Sequence, residues 1–225
     1  MSIRVMSASI LLAVGASSAL ADFVPVSLAP NVNFDIRTYS NGVNYPVGGS
    51  TVDFAGVPFA LELLNENPDT FGVTQLPIFA GPATFSYTVS IPGAVRLYTL
   101  INSAFGAFGA NNGTIEVFGT GGAFASFDLI QGTNIRDHFN SSFVNTLSDP
   151  TVVPTNFSGD VRLDRQVLEL PAAFLDDTVN LIRFSGDATG AGAAFLAAAT
   201  IETIPTPGAM ALLGVAGLVA LRRRR

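Results

Sequence analysis

The fold of this chain is decided by a nine-residue stretch, Ala83-Thr84-Phe85-Ser86-Tyr87-Thr88-Val89-Ser90-Ile91. Its odd-numbered positions are apolar or aromatic, and its even-numbered positions carry hydroxyl groups. Because successive side chains of a strand point to opposite faces, this alternation predicts a β-strand with one buried and one exposed face. Gly81-Pro82 and Pro92-Gly93 flank the stretch and set its limits, since both dipeptides favour turns.

Other stretches of the same type follow one another along the chain, with Gly and Pro between them. Apart from a short helical turn that we predict over Asp137–Val144, no stretch has helical periodicity. Strands this dense favour an all-β fold, an antiparallel β-sandwich or jelly roll, over a parallel α/β sheet. The other predicted strands are Phe34–Tyr39, Thr51–Leu64 with a break at Gly56–Pro58, Val95–Ile101, Thr114–Phe118, Ala123–Ile130, Val161–Leu170, Val179–Ser185 and Ala194–Ile204.

The first 21 residues have the features of a signal peptide. Arg4 precedes an apolar run from Ile10 to Val14, and small residues follow as far as Ala19-Leu20-Ala21. Such an A-x-A sequence is typical of a signal peptidase site. We therefore predict that residues 1–21 are removed before Asp22 and that the chain is exported.

Residues 204–225 contain three segments in a fixed order. These are Pro205-Thr206-Pro207 with Gly208, an uncharged apolar run from Ala209 to Leu221, and four arginines, Arg222, Arg223, Arg224 and Arg225. As a helix, the apolar run is short for a hydrocarbon core of ~30 Å. The arginines would hold its end on the cytoplasmic side, and the prolines would keep the preceding segment extended.

This order resembles the PEP-CTERM sorting signal of exported bacterial proteins, with Thr206 in place of the central Glu of the Pro-Glu-Pro motif. The resemblance implies recognition by an exosortase, a membrane-embedded processing enzyme. It also implies transient anchoring in the inner membrane, removal of the tail, and delivery to the cell surface or the extracellular space. A short anchor that is never cut is the alternative.

The span between the two processing signals, residues 22–203, is long enough for one domain with its own core. Without the two ends, the acidic residues exceed the arginines by 11, and the chain has no lysine. Such a composition argues against nucleic acid as a partner. The chain has no cysteine and one histidine, which excludes a disulfide framework and argues against zinc.

A second resemblance, over Asn41–Phe143, is to the galactose-binding-like β-sandwich modules of exported bacterial proteins. It implies a β-sandwich fold and, because such modules often bind sugars, extracellular polysaccharide as a partner. A shared fold does not by itself transfer a function. The segments that carry the resemblance are Gly56-Val57-Pro58-Phe59, Phe85–Ile91, Leu97–Asn102 and Gly113–Val117.

The candidate ligand site consists of four neighbouring residues: Asn134, Arg136, Asp137 and His138. Their planar donors and acceptors suit the hydroxyl groups of a sugar. A solvated loop is one alternative interpretation. A Ser-His-Asp triad with nearby serines is another, which we disfavour because triad members normally come from separate elements.

A candidate calcium site lies in the turn Asn65-Glu66-Asn67-Pro68-Asp69. Asn65, Asn67 and Asp69 place oxygen-bearing side chains two residues apart, and Ca²⁺ binds oxygen ligands of this kind. Ordinary turn chemistry explains the same residues, and no glutamate follows at the spacing of an EF-hand. We therefore expect no cofactor other than a structural calcium ion.

Taken as a sequence, the chain fits best an exported, non-enzymatic protein of the cell surface or extracellular matrix. The first alternative is a carbohydrate-binding module that acts on exopolysaccharide. The second is a secreted glycan-active hydrolase. That enzyme needs two carboxylates facing each other across a cleft, and spacing in sequence cannot place them.

Overall fold

The computed structural model describes residues 21–40, 44–78, 81–139, 143–155, 160–187 and 192–204. Within these ranges the chain forms strands and three short 3-10 helices but no α-helix, so the predicted all-β class is confirmed. No helix in the same ranges has the length and apolar character that a membrane crossing requires. The predicted signal peptide, except Ala21, and the predicted sorting signal, except Ile204, lie outside the described residues.

The described part of the chain contains twelve strands. They are β1 (Asp22–Val26), β2 (Phe34–Asp35), β3 (Ser50–Phe54), β4 (Val57–Leu61), β5 (Gly72–Gln75), β6 (Ala83–Pro92), β7 (Ala94–Phe105), β8 (Asn111–Gly119), β9 (Phe124–Ile130), β10 (Asp164–Glu169), β11 (Thr178–Gly186) and β12 (Gly192–Thr203). The 3-10 helices span Ala29–Asn31, Ile36–Ser40 and Ala172–Leu175.

The strand predicted from the alternating stretch is confirmed as β6, with Tyr87 and Ile91 buried and the hydroxyl-bearing residues exposed. Most of the other predicted strands overlap observed ones, but β1 and β5 were not predicted. The prediction of a strand over Phe34–Tyr39 is wrong beyond Asp35. There the Asp35 carboxylate accepts a hydrogen bond from the Arg37 N–H at 3.1 Å, and the chain turns into a 3-10 helix.

The largest sheet has six strands and is built around β12. Its order is β10-β7-β12-β5-β2, and β1 also pairs with β12, all antiparallel. Both faces of β12 are covered, and every residue except the last is buried. The apolar residues of β12 alternate between the two faces of the sheet, and a register shift between Leu196 and Ala198 reverses this alternation.

Two apolar cores lie on either side of this sheet. The first contains residues of β7 and β12 together with residues of a four-stranded antiparallel sheet of order β6-β11-β8-β9, among them Leu97, Ile115 and Phe184. The second contains residues of the opposite face of β7 and β12 and of the β3–β4 hairpin, among them Leu100 and Phe59. The six-stranded sheet is therefore buried on both faces.

Candidate functional site

The predicted site residues lie in the connection between β9 and β10, which runs beside the end of β7. The N–H of Ser103 on β7 donates to the Arg136 carbonyl at 2.9 Å, and the His138 N–H donates to the Ser103 carbonyl at 2.8 Å. Asp137 thus forms an isolated parallel bridge with Ser103, and Phe139 bridges Val161. The predicted helical turn is absent over 137–139 and 143–144, because the Asp137 N–H donates to the Val144 carbonyl and the His138 N–H donates to Ser103 of β7.

Arg136 forms a two-pronged ion pair with Asp164, the first residue of β10. Its Nε lies 2.6 Å from Asp164 Oδ2, and its Nη2 lies 2.8 Å from Oδ1. Asp164 is buried and also accepts hydrogen bonds from the Asn102 side chain at 2.8 Å and from the Thr155 N–H at 3.2 Å. Both carboxylate oxygens are therefore satisfied, as a buried charge requires.

Asp137 is 1% exposed, and its carboxylate accepts hydrogen bonds from the backbone of β7 and from the backbone of the connection itself. Oδ2 accepts a hydrogen bond from the Phe105 N–H at 2.6 Å, and Oδ1 accepts one from the Phe139 N–H at 2.7 Å. Burial removes water from the carboxylate and raises the pKa of Asp137 to about 6, although the two N–H donors act in the opposite direction.

His138 is 5% exposed and lies among aromatic rings. Its Nδ1 is 2.8 Å from the Tyr45 hydroxyl oxygen, and its ring centroid lies 4.8 Å from that of Tyr39 and 5.7 Å from that of Phe195. Burial lowers the pKa of His138 to about 4, and the positive charge of nearby Arg162 acts in the same direction. The ring is therefore neutral near pH 7.

Arg162 is buried next to Asp137 and His138. Its guanidinium donates to the main-chain carbonyls of Asp137 at 2.9 Å and Phe139 at 2.7 Å, and to the Asn145 side-chain oxygen. Burial lowers the pKa of this guanidinium. Arg162 therefore links separate parts of the β9–β10 connection, and none of its three partner residues is exposed.

Asn134 is separate from the other three residues. Its side-chain oxygen accepts from the Ile130 N–H at 2.8 Å, and its amide nitrogen donates to the Asp128 carbonyl at 2.7 Å, so it closes the turn after β9. The structure thus brings Arg136, Asp137 and His138 into one buried network. The four residues do not form the exposed polar loop that the sequence suggested, and ligand binding by them stays a prediction.

The candidate calcium ligands lie in an exposed turn between β4 and β5. The Asn67 side-chain oxygen accepts a hydrogen bond from the Asp69 N–H at 3.1 Å, and the Asn67 carbonyl accepts one from the Thr70 hydroxyl at 2.7 Å. Asn65 has a left-handed backbone with φ of 51°. Within the described ranges, no three His, Cys, Asp or Glu side chains are grouped as a metal site would require. Calcium binding here stays a prediction.

Phe105 is the residue of this region that sequence reasoning missed. It ends β7 with φ of 67°, in the left-handed region that bulky side chains rarely adopt. Its N–H donates to Asp137, and its carbonyl accepts from the Ser103 hydroxyl at 2.9 Å and the Gln131 side-chain amide at 3.2 Å. Three buried side chains thus hold one strained backbone unit in place.

Three phenylalanine rings are exposed around this point, and we name them the Phe105 surface. Phe105 is 38%, Phe108 72% and Phe143 45% exposed. The rings of Phe105 and Phe143 meet edge to face with centroids 4.9 Å apart. Phe108 lies beside Gly132, where an added Cβ atom would come within 2.5 Å of the Phe108 ring and within 3.2 Å of Val144.

A signal for this surface is present in the sequence. The tripeptide Ala-Phe-Gly occurs twice in succession, over Ala104–Gly106 and Ala107–Gly109, at the end of β7 and in the loop of small residues that follows it. Small neighbours leave an aromatic side chain without cover, so rings in such a loop are expected to be exposed. The backbone conformation of Phe105, in contrast, has no local sequence signal.

Two clefts open elsewhere on the described surface. One, of about 340 Å³, lies between the starts of β6 and β8 and the end of β11, and Asp187 is its one charged lining residue. The other, of about 320 Å³, is lined by Asn33, Phe34, Tyr39 and residues 75–78, none of them charged. Neither cleft brings two carboxylates together.

In comparisons with known proteins, the chain matches no protein-family model and no curated protein sequence.

Proposed function

We propose that this chain is an exported, non-enzymatic protein of the cell surface or extracellular matrix, cut at both ends by a signal peptidase and an exosortase-type enzyme. The observation that carries the proposal is the pairing of β1 with β12. Strand β1 begins at Asp22, directly after the predicted signal peptide, and Asp22 pairs with Thr203, two residues before Pro205. The first and last strands that the structure describes therefore pair with each other, and both lie directly inside the two predicted processing signals.

We further propose that the two larger sheets form a β-sandwich of the jelly-roll type. Side chains of both sheets share the first apolar core, which is the arrangement that a sandwich requires. From β6 onward the chain crosses between the two sheets at every step except from β8 to β9: β6, β8, β9 and β11 belong to the four-stranded sheet, and β7, β10 and β12 to the six-stranded one. Such crossings are typical of jelly rolls.

A non-enzymatic role is supported by the placement of the polar residues. His138 is buried against Tyr45 and Tyr39, and the Asp137 carboxylate is occupied by two backbone amides. A glycan-active hydrolase would need facing carboxylates, which neither of the two clefts supplies. The hydrolase is therefore the less favoured of the alternatives.

Carbohydrate binding is the second candidate function, and one observation favours it. Three of the six large apolar side chains that are exposed in the described structure belong to the Phe105 surface. Exposed apolar patches of this kind are often sites of interaction.

The processing proposal is tested by mass spectrometry of the protein isolated from the native cell surface. We expect a mature chain that begins at Asp22 and lacks Arg222–Arg225. Replacing Pro205 and Pro207 with Ala should leave a full-length membrane form, and replacing the four arginines with Ser should impair retention during export. A surface protein whose C-terminal peptide ends in Arg225 would leave the uncut anchor as the correct interpretation.

A further inference from the structure

We propose that the Phe105 surface is a stacking site for the sugar rings of a neutral polysaccharide. The proposal rests on the carbohydrate-binding candidate above and assigns it a site, which differs from the four polar residues that the sequence suggested. Its starting point is the strained backbone of Phe105, because strain in a native structure persists where the surroundings enforce it and clusters at functional sites.

The buried polar network enforces the strained conformation of Phe105. A left-handed conformation is unfavourable for a non-glycine residue, and glycine would adopt it without this cost. Phe105 is nevertheless held there by Asp137, Ser103 and Gln131, all buried. The result is a ring directed outward at the end of a strand, edge to face with Phe143. The buried network thus acts as the support of an exposed aromatic group.

The surroundings of the rings point to an uncharged occupant. No charged residue occurs in the loop from Ala104 to Asn112 or in Phe143-Val144-Asn145. The domain as a whole is acidic, so it repels polyanions, and the electron-rich faces of aromatic rings do the same. The C–H face of a neutral pyranose fits such a ring, while its hydroxyl groups stay in water.

The size of the surface argues against a second copy of this chain as the occupant. With ~200 Å² for each aromatic side chain, the exposed fractions of the three rings amount to roughly 300 Å². A stable protein–protein contact needs about 800 Å² from each partner. An area of ~300 Å² instead matches one or two sugar rings.

The first test is electrophoresis of the purified protein through gels that contain a neutral glucan, a neutral galactomannan or anionic alginate. We expect retardation by a neutral polymer and none by alginate. Phe108→Ala should weaken the retarding interaction by roughly five-fold, because it removes one stacking ring. Phe124→Ala is the matched control, since Phe124 on β9 is 49% exposed but lies outside the Phe105 surface.

The second test uses Phe105→Gly, which removes the ring and relieves the backbone strain. We expect an unchanged or higher melting temperature together with weaker retardation, a combination that a purely structural phenylalanine cannot give. A marked fall in melting temperature would overturn the role that we assign to the strain.

Two results would overturn the site itself. One is the absence of retardation in both neutral gels. The other is sedimentation that shows a dimer which Phe108→Ala dissociates, because the rings would then be a self-association surface. Neither result bears on processing at the termini, which mass spectrometry reads independently.

Discussion

Two aspartates, Asp137 and Asp177, each accept hydrogen bonds from loop backbone, yet their pKa values are shifted in opposite directions. Asp137 is buried, and its pKa is raised to about 6 by loss of water, although two N–H groups donate to it. Asp177 lies at the surface, and its pKa is lowered to about 2, chiefly by the N–H of Gly121. Burial outweighs two donors at Asp137, whereas four donors outweigh a small loss of water at Asp177.

The two carboxylates also hold different kinds of structure. Asp177 gathers the turn between β8 and β9, through the N–H groups of Gly121 and Ala123 and the Thr120 hydroxyl. Asp137 holds a strained strand end against a long connection. Because water can replace the partners of Asp177 but cannot reach those of Asp137, we expect substitutions in the buried region to cost far more.

The largest difference should appear at the ion pair beside Asp137. Arg136→Met keeps the apolar stem but leaves Asp164 buried without its counter-charge, and we expect a loss of about 3–5 kcal/mol in the free energy of unfolding. The matched control is Arg183→Met, which breaks the half-exposed pair with Glu116 and should cost about 1 kcal/mol or less. Urea unfolding measures both, and equal losses would break the comparison.

The next largest effect is expected for Asp137→Ala. The N–H groups of Phe105 and Phe139 would lose their acceptor in a region that water does not reach, which should lower the free energy of unfolding by about 2–4 kcal/mol. The same urea experiment measures it. A loss below about 0.5 kcal/mol, the range of ordinary surface substitutions, would show that water replaces the carboxylate after all.

The pH dependence of stability sharpens the comparison further. The raised pKa of Asp137 makes stability fall as pH rises from 4 to 6, because the unfolded carboxyl loses its proton first. The lowered pKa of His138 makes stability fall as pH drops from 6.5 to 4. The two slopes, each up to ~1.4 kcal/mol per pH unit, oppose each other in the wild type.

Asp137→Asn should therefore expose the His138 slope, so that the variant loses stability more steeply than the wild type between pH 6.5 and 4. His138→Phe should expose the opposite slope, so that the stability of this variant falls as pH rises from 4 to 6. Urea midpoints across this range measure both. Parallel pH profiles for the wild type and the two variants would contradict the assigned pKa values.

The smallest effect is expected for Asp177→Asn. The lowered pKa of Asp177 stabilises the fold above pH 4, and this contribution is lost as pH falls through about 2. The variant should therefore lose less stability on acidification than the wild type. At pH 7 we expect faster hydrogen exchange at Gly121 and Ala123, with little change in the exchange of core strands.

How far the sequence predicted the fold depended on the length and periodicity of each strand. The alternation of Ala83–Ile91 is local and identified β6 to within one residue. Strand β5 has four residues, all buried, and therefore no alternation, while β1 includes Pro25 and has partners that lie at the other end of the chain. Such strands form because of the strands that lie beside them in the fold, and the sequence alone does not show which strands become neighbours.

The same limit applies to the candidate site. The sequence identified the polar residue types around Arg136 and His138 but not the direction of their side chains. Their partners, Asp164 and Tyr45, are 28 and 93 residues away in the chain. Burial by such distant segments turned an expected surface loop into a buried network, and the exposed aromatic rings became the binding candidate.

The central claim is that the buried Asp137 carboxylate holds both Phe105 and Phe139. The most direct measurement is an NMR titration of the backbone amide shifts of these two residues between pH 3 and 8. We predict one shared midpoint near pH 6, which disappears in Asp137→Asn. Separate midpoints, or a shared midpoint near the ordinary aspartate value of ~3.9, would contradict the account.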